Sequence, residues 1–414
     1  MSTVFAEVPL LIDSPGAGRL VSADVPPLEL LALIEQADQN GAQNFTGCAW
    51  DGKKAESLPE FASRICSLAP DTVVLWANTF QWPAASAIAA ALNALDRVPP
   101  QVQISGPLPQ SFSMGRTDFA LAGASHALAC LTASRLETWP RTELAFSLSP
   151  TGGFPLYCQP HPWNLPLNAG PVIGYSKDAI AELARALGRS GRPVLAAREP
   201  PHGWTRDGLE TLGEIALLAL REHDRMVRFH LRATPAELLM PGILPGLVLL
   251  GIERLEVLAG ATSGSTLRLG SSTASANLSE HCSLEIARAG LARETELVFV
   301  LGTPGETVWE AMRIVQAGVR MAVTAGVPRI RFEWWYNLPA SPLYRGTTNW
   351  ENFLRDAQPA WFVNPDLWSQ VSTELTGQHR SSIREAIEFS RLLYSDLQIA
   401  GPELVFAPGM GRSE

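Results

Sequence analysis

The stretch ELVFVLGTPGETVWEAMRIVQAGVRMAVTAGVPRIRFEWWYNLP, residues 296–339, decides the fold. It reads as a strand ending in a glycine turn (ELVFVLGTPGET), a helix (VWEAMRIVQAGVRMAVTAG) and a strand (RIRFEWWYNLP), which would be the last. Strands alternating with helices argue for a parallel sheet, because parallel neighbours need a long crossover. The same alternation runs back from it. AIAELARALGRSG is a helix, PVLAARE (193–199) a strand, DGLETLGEIALLALREH a helix and MVRFHLRA a strand. RLEVLAGAT then gives a strand and EHCSLEIARAG a helix. Five or six such units are too few for a closed eight-stranded barrel, so a partial (β/α) TIM barrel is expected, its site at the carboxyl mouth. The tail from 361 to 414 carries one clear helix, SSIREAIEFSRLLYSDL.

The first 135 residues show a second α/β pattern. VPLLID (8–13) reads as a strand, and PLELLALIEQADQNG has apolar positions at helical spacing before Gly41. DTVVLWAN (71–78) is a buried strand, AASAIAAALNALDR (84–97) a helix and PPQVQISGP (99–107) a strand ending at Gly106. DFALAGASHALACLTA (118–133) reads as a strand, a glycine turn and a helix. The expected fold here is flavodoxin-like (Rossmann-type) and doubly wound, with its ligand crevice at the carboxyl ends of the strands. Pro, Gly and Trp crowd residues 139–172, the mark of a linker or a functional loop.

A chain of 414 residues suits two domains and a tail. Hydrophobic content of 46% with 18% charged residues is that of a globular protein. The net charge of −9 comes with no compensating basic block, which disfavours nucleic acid or an anionic membrane as partner. RMVRFHLR (225–232) reads as a strand with charged flanks. The N-terminus lacks the pattern of a signal peptide, and no run approaches the roughly 18 apolar residues of a membrane helix, so a cytoplasmic protein is expected. Five cysteines, odd in number and scattered, form neither a disulfide framework nor a zinc pattern.

The order of pieces resembles radical S-adenosylmethionine (SAM) enzymes carrying an N-terminal cobalamin-binding domain. The likeness runs from about residue 5 to 350. VPLLIDSP followed by DVPPLELLALIEQADQNG resembles that family's first strand, its Pro-Pro loop and first helix. PDTVVLWANTFQWPAASAIAAAL is similar to its third strand and cobalamin-contacting loop, and VQISGP and DFALAGASHALACL occupy the places of two further turns. ELVFVLGTPGETVWEAM closely matches the family's Gly-x-Pro-Gly-Glu-Thr barrel turn, and WWYNLPASPLYR its last strand and Pro-x-x-Leu-Tyr. The resemblance implies a cobalamin-binding-like domain over 1–136, a linker with the cluster loop over 137–170, a radical-SAM-type partial barrel over 171–355 and a helical tail over 356–414. Candidate cofactor-binding residues are Phe80 and Trp82, which a corrin face could stack on, and Gly106 and Gly123, which permit close backbone approach. The same aromatics also suit a core, and glycine after a strand suits any turn. Trp163 at the loop rim and Gly302 in the barrel turn complete the set, with Trp204, Trp334 and Trp335 as further aromatics of the mouth.

The resemblance breaks at SPTGGFPLYCQPHPW, residues 149–163. The family holds a four-iron cluster on three cysteines spaced C-x3-C-x2-C. Here Phe154, Cys158 and His161 follow Gly153 at that spacing. Phenylalanine cannot ligate iron, and two ligands fall short of three, so no 4Fe-4S cluster is expected unless another ligand arrives from elsewhere. Phe154 would plug the vacated space. VLAGATSGS (257–265) shows no carboxylate where the family holds the amino end of SAM, although Glu199 could supply the other acidic contact. Without a cluster, reductive cleavage of the sulfonium has no electron source. Candidate catalytic residues are therefore Cys158, His161 and Glu199, the first two as a thiol–imidazole pair or as a structural loop with a buried thiol. His126 and His202 fall on other loops near the mouth. No Asp-x-His-x-x-Gly, P-loop, nucleophile elbow, dinucleotide or zinc-protease motif is present.

Two functions fit. One is non-radical transfer of a methyl or related group, dependent on SAM, cobalamin or both, to a small molecule or peptide in bacterial specialised metabolism. The other is a non-catalytic relative that binds a ligand or substrate, or serves as partner chain to a genuine radical SAM enzyme.

Overall fold

Thr72–Trp76, TVVLW, is apolar and β-branched along most of its length, the composition of a strand covered on both faces. In the structure, a computed structural model, it lies at the centre of a five-stranded sheet. The structure describes residues 2–8, 10–12, 19–21, 28–39, 44–50, 56–77, 81–94, 99–105, 127–128, 135–136, 174–175, 178, 181–182, 184–185, 194–195, 203–224, 226–259, 276–301, 308–334 and 403–406. The chain divides into two compact units. One is Met1–Arg192 with Arg221–Arg225 and Leu338–Asn364; the other is Pro193–Leu220 with Met226–Asn337 and Pro365–Glu414.

The first unit contains β1 (Ser2–Glu7), β2 (Leu10–Ile12), β3 (Arg19–Val21), α1 (Leu28–Gln39), β4 (Asn44–Ala49), α2 (Leu58–Ser67), β5 (Thr72–Trp76), α3 (Trp82–Asn93), β6 (Gln101–Ser105), β7 (Ala127–Leu128), β8 (Arg135–Leu136) and β9 (Gly174–Tyr175). Its main sheet runs β4-β1-β5-β6-β7 with every pair parallel. Counted in chain order these strands are 2-1-3-4-5, the flavodoxin-like arrangement, whose switch point falls between the first and third. One face of the sheet (Val4, Ala6, Val8, Val73, Leu75, Ala77, Val102, Ile104) packs into a single core with Phe61, Ala62 and Ile65 of α2 and Ala84, Ala85, Ile88, Ala89 and Leu92 of α3. A capping box starts α2: the Ser57 hydroxyl accepts from the Glu60 amide, and the Glu60 carboxylate accepts from the Ser57 amide at 2.7 Å.

The second unit contains β10 (Val194–Leu195), all but the last three residues of α4 (Arg206–His223), β11 (Arg228–Ala233), α5 (Pro235–Leu238), α6 (Ile243–Leu250), β12 (Arg254–Leu258), α7 (Ala276–Arg288), β13 (Thr295–Leu301), α8 (Val308–Ala325), β14 (Arg329–Trp334) and β15 (Glu403–Phe406). Strands β10 to β15 form one parallel sheet in chain order. Its inner core rows are Phe229, Leu231 and Ala233, then Leu255 and Val257, Leu297 and Phe299, and Ile330 and Phe332, all buried. Helix α8 reaches this face closely at Gly318, where an added Cβ would lie 2.8 Å from the Phe299 ring.

Several sequence expectations change. The first strand of the parallel sheet is Ser2–Glu7, not 8–13; within 8–13, Leu10–Ile12 pairs antiparallel with Arg19–Val21. Pro9 explains the break, since it donates no ladder hydrogen bond. Strand β4 and helix α2 had no counterpart in the sequence reading. NFTGCA is an edge strand exposed at alternate residues, so it shows no apolar run. Ala127–Leu128, expected to be helical, pair in parallel with Gln103–Ile104. Arg329–Trp334 is not the last strand, because Glu403–Phe406 from the tail pairs alongside it. The helix expected over 381–397 and the loop 149–163 lie outside the described residues.

Candidate functional site

In a doubly wound sheet a ligand crevice is expected at the carboxyl ends of the strands. Register places Glu7, Trp76 and Ser105 in one row across the carboxyl edge of β1, β5 and β6. The next residues close over that row: the Ala77 amide donates to the Ser105 carbonyl at 2.9 Å, and the Gln81 side-chain amide donates to the Val8 carbonyl at 2.5 Å. Gln81 immediately precedes α3, so this bond ties the end of the first strand to the helix that follows the third. At β4, the Arg64 guanidinium grips the Glu56 carboxylate with Nε and Nη2, both at 2.8 Å. It also donates to the Ala49 carbonyl and to Cys48 Sγ. Burial pushes the Cys48 thiol up to about 11, outweighing the lowering effect of Arg64, so it stands as a neutral thiol and not a nucleophile.

The second unit carries an ionic layer. Alternation along the strands sets Arg232, Arg254, Glu256, Glu296 and Arg331 on the sheet face opposite the aliphatic rows. Glu256 Oε2 accepts from Arg232 Nη2 at 2.6 Å and from Arg331 Nη2 at 2.9 Å. One carboxylate on β12 thus joins β11 to β14 across the intervening β13. Arg254 donates to Glu296, whose side chain is only 1% exposed. Burial opposes the charge of Arg254, but the Glu296 hydrogen bond and the charges of Glu256 and Glu296 more than offset it and hold the guanidinium above its ordinary value. Both carboxylates of this layer are engaged by arginine.

Most sequence candidates lie where nothing is described: Phe80, Gly106, Gly123, Cys158, His161, Trp163, Glu199 and Gly302. Trp82 is the first residue of α3, beyond the carboxyl end of β5. Trp204, expected among the aromatics of the mouth, is 4% exposed, and its indole donates at 3.1 Å to the carbonyl of Arg232, near the carboxyl end of β11. The sequence reading missed Trp76 and the ionic layer. Charges at alternate positions in RFHLR, RLEVL and RIRFE were the available signal; Arg232 lies within its strand, not on a flank. Among the described residues, no group of three or more His, Cys, Asp or Glu could hold a metal ion, and no helix is long and apolar enough to cross a membrane.

No protein-family model and no curated protein matches the sequence. Solved structures do match. The radical SAM methyltransferase TsrM from Kitasatospora setae, with cobalamin and a [4Fe-4S] cluster bound, has a TM-score of 0.53 and 12% identity over 81% of this chain and 75% of its own. TsrM with tryptophan substrate and the SAM analogue aza-SAM gives a TM-score of 0.51 at 12% identity, over 80% and 73%. The cobalamin-dependent SAM radical enzyme OxsB gives 0.51 at 11% identity; the match covers 96% of this chain and 61% of OxsB. The fold of this chain is mixed α/β with parallel sheets and is similar to that of these cobalamin-dependent radical SAM structures.

Proposed function

We propose that this chain uses the scaffold of cobalamin-dependent radical SAM enzymes without a four-iron cluster, and transfers a methyl or related group by polar chemistry to a small molecule or peptide. The reading rests on that similarity of fold and on a sequence in which Phe154, Cys158 and His161 follow Gly153 at the C-x3-C-x2-C spacing, only the middle one a cysteine. In this reading 1–136 takes the corrinoid, 137–170 carries the degenerate loop and 171–355 takes SAM. The tail, 356–414, adds β15 to the second sheet. When bound, a corrinoid would supply a nucleophilic cobalt centre and SAM an electrophilic methyl group.

The described residues fit a corrinoid at the first sheet's carboxyl edge. A ligand with many peripheral amides needs donors there, and Trp76 presents a buried indole N–H with no partner among the described residues. Val8, Gln81 and Ser105 would form the floor beneath it. In the second unit the ionic layer would be the charged floor under the mouth. Because Arg232, Arg254 and Arg331 hold Glu256 and Glu296, the ammonium of SAM would rely on a loop carboxylate such as Glu199. That engagement also favours a second reading, a non-catalytic relative that binds a ligand or supports a radical enzyme as its partner. Calorimetric titration of the full chain with hydroxocobalamin and with SAM tests the proposal. Saturable binding of both is expected. If neither binds, the transferase reading falls and the partner reading stands.

A further inference from the structure

Among the described residues Trp76 is the largest fully buried side chain, 1% exposed, and its Nε1 donates to none of them. Buried indoles ordinarily find an acceptor. An unpaired buried donor shifts an equilibrium constant by about 5- to 150-fold. Its place in the fold is specific. Trp76 ends β5, the third strand in chain order, and its register partner on the first strand is Glu7, so it stands at the switch point. It does not share the core of α2 and α3. That core takes Val73, Leu75 and Ala77 from this segment, and alternation turns Val74 and Trp76 to the other face. On that face the row ends in Ser105, polar and buried, while the α2/α3 face stays apolar through Val8 and Ala77 to the edge.

We infer that Trp76 is a ligand-binding residue, its indole N–H donating to an acceptor oxygen of the molecule bound at the switch point. Resting on the cobalamin reading above, the inference assigns that oxygen to a side-chain amide carbonyl of the corrin periphery. An ordered water is the other possible acceptor, and the test separates the two.

Hydroxocobalamin binding to the full-length wild type, Trp76→Phe and Trp76→His is measured by equilibrium dialysis with cobalt determination. Phenylalanine keeps more of the ring volume but has no donor. Histidine is smaller, yet in one ring orientation its Nε2 falls where the indole nitrogen was. The expected order is wild type tightest, Trp76→His next and Trp76→Phe weakest, the last about tenfold or more below wild type. Equal affinities would mean that water is the acceptor and overturn the inference while leaving cobalamin binding intact. Affinities falling in the order of ring volume would assign Trp76 to packing and also overturn it. Absence of binding by the wild type would overturn both the inference and the cobalamin reading. A wild-type measurement guards against a variant that fails to fold. In the indole N–H spectrum of the twelve tryptophans, one buried, slowly exchanging signal should move downfield on adding hydroxocobalamin. No such movement would count against the inference.

Discussion

Replacing Glu256 with alanine removes the one carboxylate shared by Arg232 and Arg331. Their nitrogens lie 2.6 and 2.9 Å from the same oxygen. The two guanidinium nitrogens are therefore within about 6 Å of each other, and at an effective dielectric near 20 their repulsion is about 3 kcal/mol. The side chains are 12% and 18% exposed, so water can reach them only in part and some of that cost will relax away. The variant should lose about 2–4 kcal/mol, below the upper range for breaking a fully buried pair. Because the chain has two units, a single melting curve is a poor reporter, and hydrogen exchange read by peptide is better. Amides in Arg228–Ala233 and Arg254–Leu258 should exchange roughly 30- to 1,000-fold faster, with peptides from β5 and β6 unchanged. Glu256→Gln keeps an acceptor but not the charge and should fall between. A loss below about 0.5 kcal/mol for Glu256→Ala would refute the reasoning and place the layer among pairs of no energetic consequence.

Gly318→Ala adds a methyl 2.8 Å from the fully buried Phe299 ring, so despite alanine's better helix propensity it should destabilise the second unit by about 1–3 kcal/mol in urea unfolding. The Cys282 thiol is pushed up to about 12 by burial, against 9.0 for a free thiol. Its folded value lies above its unfolded one, so its contribution is complete below pH 9.0 and is lost as pH rises toward about 12. The urea midpoint should fall over that window, and less so in Cys282→Ala, while the thiol stays silent to a thiol reagent in the folded protein near neutral pH.

How much was legible in the sequence depended on whether a segment's chemistry was also its packing. TVVLW and ELVFVL announce buried strands because, after a polar first residue, each is an unbroken apolar run. The helix over Trp82–Asn93 follows from alanine and a proline in its first turn. NFTGCA carries no strand signal because an edge strand needs no apolar run, and Ser2–Glu7 is outweighed by the more apolar VPLLI beside it. Glu403–Phe406 is four residues long, and only its place beside Arg329–Trp334 gives it meaning. The candidate site was less legible. Alternating charge in RFHLR, RLEVL and RIRFE does not by itself say which residues meet; register across the sheet gathers Arg232, Arg254, Glu256 and Arg331 with Glu296 into one ionic layer. Trp76 read as one more apolar residue, since no sequence pattern tells whether an indole nitrogen finds a partner.

The central claim is that this scaffold works without its cluster. It is tested most directly by reconstituting the anaerobically purified protein with iron and sulfide, then measuring iron, sulfide and visible absorbance in wild type and Cys158→Ala. The account predicts no stable absorbance near about 400 nm and only adventitious iron, the same in both proteins. Near-stoichiometric loading of about four irons per chain, abolished by Cys158→Ala, would contradict it and restore radical chemistry as the function of this fold.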